Sequence, residues 1–179
     1  QGQLNAACHL ERTTRSSNII EDDFVQFYPY PPHFIEMSID IMSGIRLQPG
    51  APKHLGGSNR TIIKQAYEML VSERTGLAKQ PVGTLVTLDK LFELVEGNLS
   101  SEKQKDISDI SQTFANDHVD GPMAVRVAKA VALLEFVRDL PRTENNIAAC
   151  LVDQVGAPAP RAEVERALEK LERAQFIRN

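Results

Sequence analysis

Apolar residues recur at intervals of three and four along most of this chain, so the sequence predicts a mainly α fold. The acidic run at 21–23 predicts a helix start, because carboxylates are favoured at the positive end of the helix dipole. The proline-rich run at 27–33 cannot be helical and predicts an extended turn. Further helices are predicted after Pro32, from 58 to 70, from Thr87 as a possible cap to Val95, and over about 100–116.

A turn at Asp120-Gly121-Pro122 divides the chain, because it combines turn residues with a proline that suits the first turn of a helix. The pattern on either side predicts three parts. Residues 1–23 form a poorly defined lead-in with weak periodicity, 24–120 a helical bundle, and 121–179 a separate module.

The order of elements in the last part is typical of a helix-turn-helix. A helix over 123–139 is apolar on nearly all faces and is expected to be buried, and a short helix capped by Thr143 follows. A turn at 156–160 leads to an amphipathic helix over 161–174, and Phe176-Ile177 are expected to begin a strand. This order predicts a truncated winged-helix module, although another three-helix core could imitate it.

Composition limits the classes of function. At 179 residues and 42% hydrophobic, the chain can build one or two cores. The net charge of -4 argues against a general binder of polyanions, and 6% aromatic residues without tryptophan leave little for base stacking. No signal peptide is recognisable and no apolar run approaches the length of a membrane span, so we expect a cytoplasmic protein without a membrane partner.

The last predicted helix carries the candidate contacts to DNA or to a partner: Arg161, Arg166, Lys170 and Arg173. A stripe of glutamates at 165, 169 and 172 runs beside them, and residues 122–179 contain nine basic against eight acidic side chains. Carboxylates facing phosphates would repel them. The sequence therefore favours a solvated or protein-contacting face and leaves DNA binding possible but weak.

Little in the sequence points to chemistry. Cys8 and Cys150 belong to no cysteine cluster and are predicted to be reduced thiols. No metal-ligand spacing and no phosphate-binding loop is recognisable, and the four histidines are scattered. We predict no catalytic residue, no metal and no cofactor in this chain, and hence no enzymatic activity of its own.

One group of neighbouring residues could contact a nucleotide. The run from Gly56 to Lys64 predicts a tight turn that places Arg60 in the first turn of a helix, with Gly57 permitting the turn. A guanidinium there can point outward and bridge to a phosphate on a neighbouring domain.

The runs FVQFYPYPPHFIEMSIDIM, HLGGSNRTIIKQAYEMLV and VGTLVTLDKLFELVEGNL resemble the large P-loop ATPases of bacterial phage-resistance systems. These are the BREX (bacteriophage exclusion) ATPase and its phage-growth-limitation counterpart. Residues 125–177 are similar to the next, winged-helix-like segment of that family, and the likeness covers 24–177 in the same order.

The resemblance implies a function for the chain as a whole. It would be the non-catalytic lid and winged-helix portion of an AAA+-like ATPase, lying downstream of the Walker motifs and coupling nucleotide state to partner or DNA contacts. Arg60 would take the sensor role towards the γ-phosphate, with Gly57 at the turn. ATP and Mg²⁺ are expected for the full-length parent, and the partners would be the upstream nucleotide-binding domain of the same chain and other defence-system proteins.

Two alternatives stay open. The chain could be a stand-alone winged-helix regulator or adaptor that binds DNA or protein, or a helical scaffold. A Walker A motif upstream in the same reading frame would decide for the ATPase.

Overall fold

A computed structural model of the chain describes residues 1–16, 18–48 and 59–178, with 59–62 described by their backbone alone. The fold is mainly helical, which confirms the predicted class, and the described residues contain no strand. Two short 3-10 helices occupy Leu77–Lys79 and Glu96–Asn98. The α-helices are α1 (Gly2–Ala7), α2 (Glu21–Phe27), α3 (Phe34–Arg46), α4 (Asn59–Val71), α5 (Leu88–Val95), α6 (Ser101–Thr113), α7 (Gly121–Leu134), α8 (Glu144–Ala149) and α9 (Arg161–Arg173).

The helix α7 is the centre of the molecule. It packs against α5, α6, α8 and α9. Val127, Ala130 and Leu133 have no exposed surface, as its nearly uniform apolar pattern predicts. The helix ends at Leu134 rather than at the predicted 139, because the amides of Phe136 and Val137 bond to carbonyls only three residues back.

One apolar core joins the elements on both sides of the turn at residue 120. It is built from buried side chains of α3 to α9, among them Ile41, Met69, Phe92, Leu133 and Leu171. The parts predicted as 24–120 and 121–179 therefore share their packing. Their status as separate domains stays a prediction.

Two helix starts show how packing selects among possible caps. The Thr143 hydroxyl accepts from the amide of Asn146 at 3.3 Å, which confirms it as the cap of α8. Thr87 precedes α5, but its buried hydroxyl has no hydrogen-bond partner, so the prediction that it caps with its side chain is wrong. The first amide of α5, that of Leu88, donates to the carbonyl of Cys150 at 3.2 Å.

The segment before α2 packs more closely than its weak periodicity indicates. Four of its apolar residues build a second, smaller core with Leu85 and Val152: Leu4, Ala7, Cys8 and Ile19. The Asn5 side chain also holds Ile19 by accepting from its amide at 3.0 Å and donating to its carbonyl at 3.2 Å.

Two side chains fasten this segment to the rest of the molecule. Asn146, which is fully buried at the start of α8, accepts from the Glu11 amide at 2.8 Å and donates to the Glu11 carbonyl at 3.1 Å. The guanidinium of Arg15 bonds both carboxylate oxygens of Asp139 and also pairs with Asp40 of α3. Residues 11–15 are thus attached to three distant parts of the chain.

The expected strand after α9 is absent. The amide of Phe176 donates to the carbonyl of Leu171 at 2.9 Å, and that of Gln175 donates to Glu172 at 2.9 Å. Together with a left-handed Gln175 (φ 64°), these bonds close the helix end in a Schellman motif. Phe176 and Ile177 then pack on the core, so the prediction that they begin a strand is wrong. The winged-helix assignment stays a prediction.

No helix within the described ranges is long and apolar enough to span a membrane.

Candidate partner-binding surface

The helix α9 presents two charged stripes to its surroundings. Val164, Ala167 and Leu171 are buried against α7 and α8 and fix the rotation of the helix. This rotation leaves the basic stripe, made of residues 166, 170 and 173, on one side. The acidic stripe, made of residues 165, 169 and 172, lies on the other.

Two residues of the basic stripe, Arg166 and Lys170, form ion pairs with carboxylates of the turn between α6 and α7. Arg166 Nε donates to Asp120 Oδ1 at 3.1 Å. Lys170 Nζ hydrogen-bonds Asp117 and lies 3.4 Å from Asp120 Oδ2. A phosphate approaching Arg166 or Lys170 would meet the negative charge of both aspartates.

Backbone amides of its own turn stabilise the charged carboxylate of Asp117. Its Oδ1 accepts from the amides of Val119 at 3.2 Å and Asp120 at 3.1 Å. The hydrogen bond from Lys170, together with these backbone bonds, lowers the pKa of Asp117 to about 2. The same bond raises the pKa of Lys170, so both groups are charged at neutral pH.

The other two predicted contacts behave differently. Arg173 Nη2 bonds Glu169 at 3.0 Å within α9, but both side chains are more than half exposed, and such pairs contribute little to stability. Arg161 is exposed at the first position of α9. Hydrogen bonds from Thr143 and Asn145 lower the pKa of Glu11, and the charge of Arg161 adds to this effect. The four cations therefore do not form one surface.

The acidic stripe faces a groove of about 810 Å³ between α8, α9 and residues 11–12, which we term the α8–α9 groove. Its floor is apolar and consists of Val131, Ile147, Leu168 and Ile177. Five glutamates border it, at positions 11, 144, 165, 169 and 172, against three arginines at positions 12, 142 and 178. The groove thus combines an apolar floor with an excess of negative charge.

Only part of the candidate nucleotide sensor lies within the described residues. Gly57 lies outside the described residues. Arg60 is the second residue of α4, as predicted, but the structure describes its backbone alone. The described part of α4 packs on α5, and Tyr30 donates from its hydroxyl to the Ala66 carbonyl at 2.9 Å. The contact of Arg60 with a phosphate stays a prediction.

Neither cysteine is placed for chemistry. Both are free and buried, and burial raises the pKa of Cys8 to about 12 and that of Cys150 higher still. Burial also lowers the pKa of the neighbouring His33 to about 4. The thiols and the imidazole are therefore uncharged at neutral pH. Within the described ranges no group of three or more possible metal ligands comes together.

No protein-family model matches the chain, and no solved structure matches it either.

Sequence reasoning identified both stripes of α9 but not the partners of the basic one. Asp117 and Asp120 are 53 and 46 residues away from the cations that they bind. Their only local signal is the Asp-x-x-Asp spacing before Gly121, which predicts a turn and not an ion pair.

Proposed function

We propose that this chain is a non-catalytic helical module of a P-loop ATPase of the phage-defence type, and that its last three helices contact a partner protein rather than DNA. The proposed contact with a protein rather than DNA is carried by one observation, the pairing of Arg166 and Lys170 with Asp117 and Asp120. It neutralises two of the four candidate cations of α9 and leaves the helix with an acidic stripe along a groove.

The packing order supports a coupling role. The helix α4, with Arg60 in its first turn, packs on α5, α5 packs on α7, and α7 packs on α9. A shift of α4 in response to a nucleotide would therefore act on α9 through contiguous buried side chains. Close-packed interiors transmit such displacements because they contain few voids.

The test of this function is Arg60→Ala in the intact ATPase. Loss of a guanidinium that bridges to the γ-phosphate should lower turnover at least about tenfold, as for other lost charge-stabilising groups. The control is Lys64→Ala, one turn further along α4, where the exposed lysine makes only a 3.6 Å pair with Glu68. That variant should retain full turnover.

Normal hydrolysis by Arg60→Ala would remove the sensor assignment. A matching loss in Lys64→Ala would show that the helix, and not the guanidinium, is responsible. The helical circular dichroism of both variants should equal that of the parent.

A second candidate function is a partner-binding adaptor that uses no nucleotide. It is favoured by the location of the groove and both stripes, which involve α7, α8, α9 and residues 11–12 but not α4. A Walker A motif in the same reading frame would support the ATPase, and a complete frame without one would leave the adaptor.

A further inference from the structure

We infer that the α8–α9 groove binds a lysine- or arginine-rich segment of a partner protein, with apolar side chains of that segment seated on the groove floor. The inference rests on the proposal that the last helices contact a protein, and it is independent of nucleotide sensing.

Unpaired carboxylates give the groove its preference for cations. Glu144, Glu165 and Glu172 are exposed, and none of them has an ion-pair partner in the part of the chain that the structure describes. The partner of Glu169 is Arg173, an exposed residue of the same helix whose pair is weak. Incoming cations can therefore approach four carboxylates without breaking a buried ion pair, and the glutamates of the groove outnumber its three arginines.

The apolar floor of the groove favours a partner segment that carries apolar side chains as well as positive charge. Ile147 is almost fully buried, whereas Val131, Leu168 and Ile177 are half-buried and still offer apolar surface. Removing that surface from water is favourable in proportion to its area. A segment with both cationic and apolar side chains fits the groove better than a purely charged one.

Other occupants fit less well. Nucleic acid and anionic lipid headgroups carry phosphates, which the acidic stripe repels. A second copy of this chain carries a net charge of -4, and two of its α9 cations are already bound to Asp117 and Asp120. The complementary partner is a basic protein segment.

The experiment uses a synthetic amphipathic helical peptide with lysines on one face and leucines on the other, titrated into the 179-residue chain by calorimetry. A second peptide replaces the leucines with serines, and a third replaces the lysines with glutamates. The groove variant combines Glu144→Gln, Glu165→Gln and Glu172→Gln. Its control combines Glu36→Gln, Glu102→Gln and Asp106→Asn, which removes the same charge from exposed positions outside the groove.

The groove variant should bind the lysine–leucine peptide about tenfold or more weakly, whereas the control should change affinity less than about twofold. The lysine–serine peptide should bind the parent chain more weakly than the lysine–leucine peptide. If the triple groove variant fails to fold, Glu165→Gln and Glu172→Gln on the exposed face of α9 replace it.

Equal losses in the groove variant and the control would overturn the inference, because they would indicate general attraction between opposite charges. Equal affinity for the leucine and serine peptides would do the same, since the floor would then be unused. Binding of the glutamate peptide or of duplex DNA in the groove would also overturn the inference, because the groove would then accept anionic partners. None of these results would alter the Arg60 measurement, so the two proposals fail separately.

Discussion

Asn146 shows how one buried polar side chain can determine the position of a segment without regular structure. Its amide group accepts from the Glu11 amide and donates to the carbonyls of Glu11 and Pro141 at 3.1 and 2.8 Å. Asn146 itself is fully buried, its three bonds are partly shielded from water, and an apolar side chain could form none of them. The conformation of residues 10–12 therefore depends on a side chain in α8.

Asn146→Ala should lower the free energy of unfolding by about 2–4 kcal/mol, because it leaves three backbone groups without a partner. Urea denaturation measures this change. Asn145→Ala is the matched control, since that residue donates one bond at 3.0 Å to the partly exposed Glu11 carboxylate, and it should cost less than about 1 kcal/mol. Similar losses at both positions would mean that the segment is not held by Asn146.

At the scale of whole elements, the turn between α6 and α7 is connected to α9 through ion pairs. Gly121 is required there: a Cβ atom at this position would lie 2.6 Å from the Phe114 carbonyl oxygen. This close approach of the two helices places Asp117 and Asp120 against α9, where they bind Arg166 and Lys170. The turn and α9 are therefore one structural unit.

Asp117→Asn tests the charge of this unit. The amide oxygen can still accept from Val119 and Asp120, so only the interaction with Lys170 weakens. Because the folded-state pKa of Asp117 is about 2, below that of an unfolded aspartate, its contribution is complete above about pH 4 and is lost as the pH falls towards 2. The variant should melt a few degrees below the parent at pH 7, and the two should converge near pH 2.

Thermal unfolding followed by circular dichroism between pH 7 and pH 2 measures this convergence. Asp106→Asn on the exposed face of α6 serves as the control and should follow the parent throughout. A difference between Asp117→Asn and the parent that stays constant with pH would assign the effect to the turn and not to the ion pair.

The helices were predictable from sequence because their periodicity and the cap at Thr143 are local. The candidate site was predictable only in part. The stripes of α9 follow from the spacing of its residues, but the partners of Lys170 and of Glu11 come from elements that only tertiary packing brings together. Thr87 stands at the N-cap of α5, but its buried hydroxyl has no hydrogen-bond partner. This burial results from tertiary packing, which residues 87–90 do not encode locally.

At the scale of the whole molecule, the arrangement of charge matters more than its sum. A net charge of -4 is compatible with a local cationic patch, yet the two cations most central to α9 are neutralised within the fold. The remaining negative charge lies partly along the α8–α9 groove. Long-range attraction should therefore favour cationic partners over nucleic acid.

The chain should bind duplex DNA with a Kd above about 1 µM at physiological salt, measured by fluorescence anisotropy. Replacing both Asp117 and Asp120 by asparagine releases Arg166 and Lys170 and should tighten binding several-fold. Submicromolar affinity of the parent chain would contradict the assignment of α9 to protein contacts. An unchanged affinity of the double variant would show that Asp117 and Asp120 do not keep DNA from Arg166 and Lys170.

The bond between Glu11 and Asn146 also has a consequence for biosynthesis. The two residues are separated by 135 positions, and translation adds about 5–20 residues each second. Roughly 7–27 s therefore pass between the appearance of residue 11 and that of its partner on the ribosome. During that interval the nascent segment around residue 11 is without its bonds to Asn146, which makes its docking on α8 a late event in the maturation of every copy of this chain.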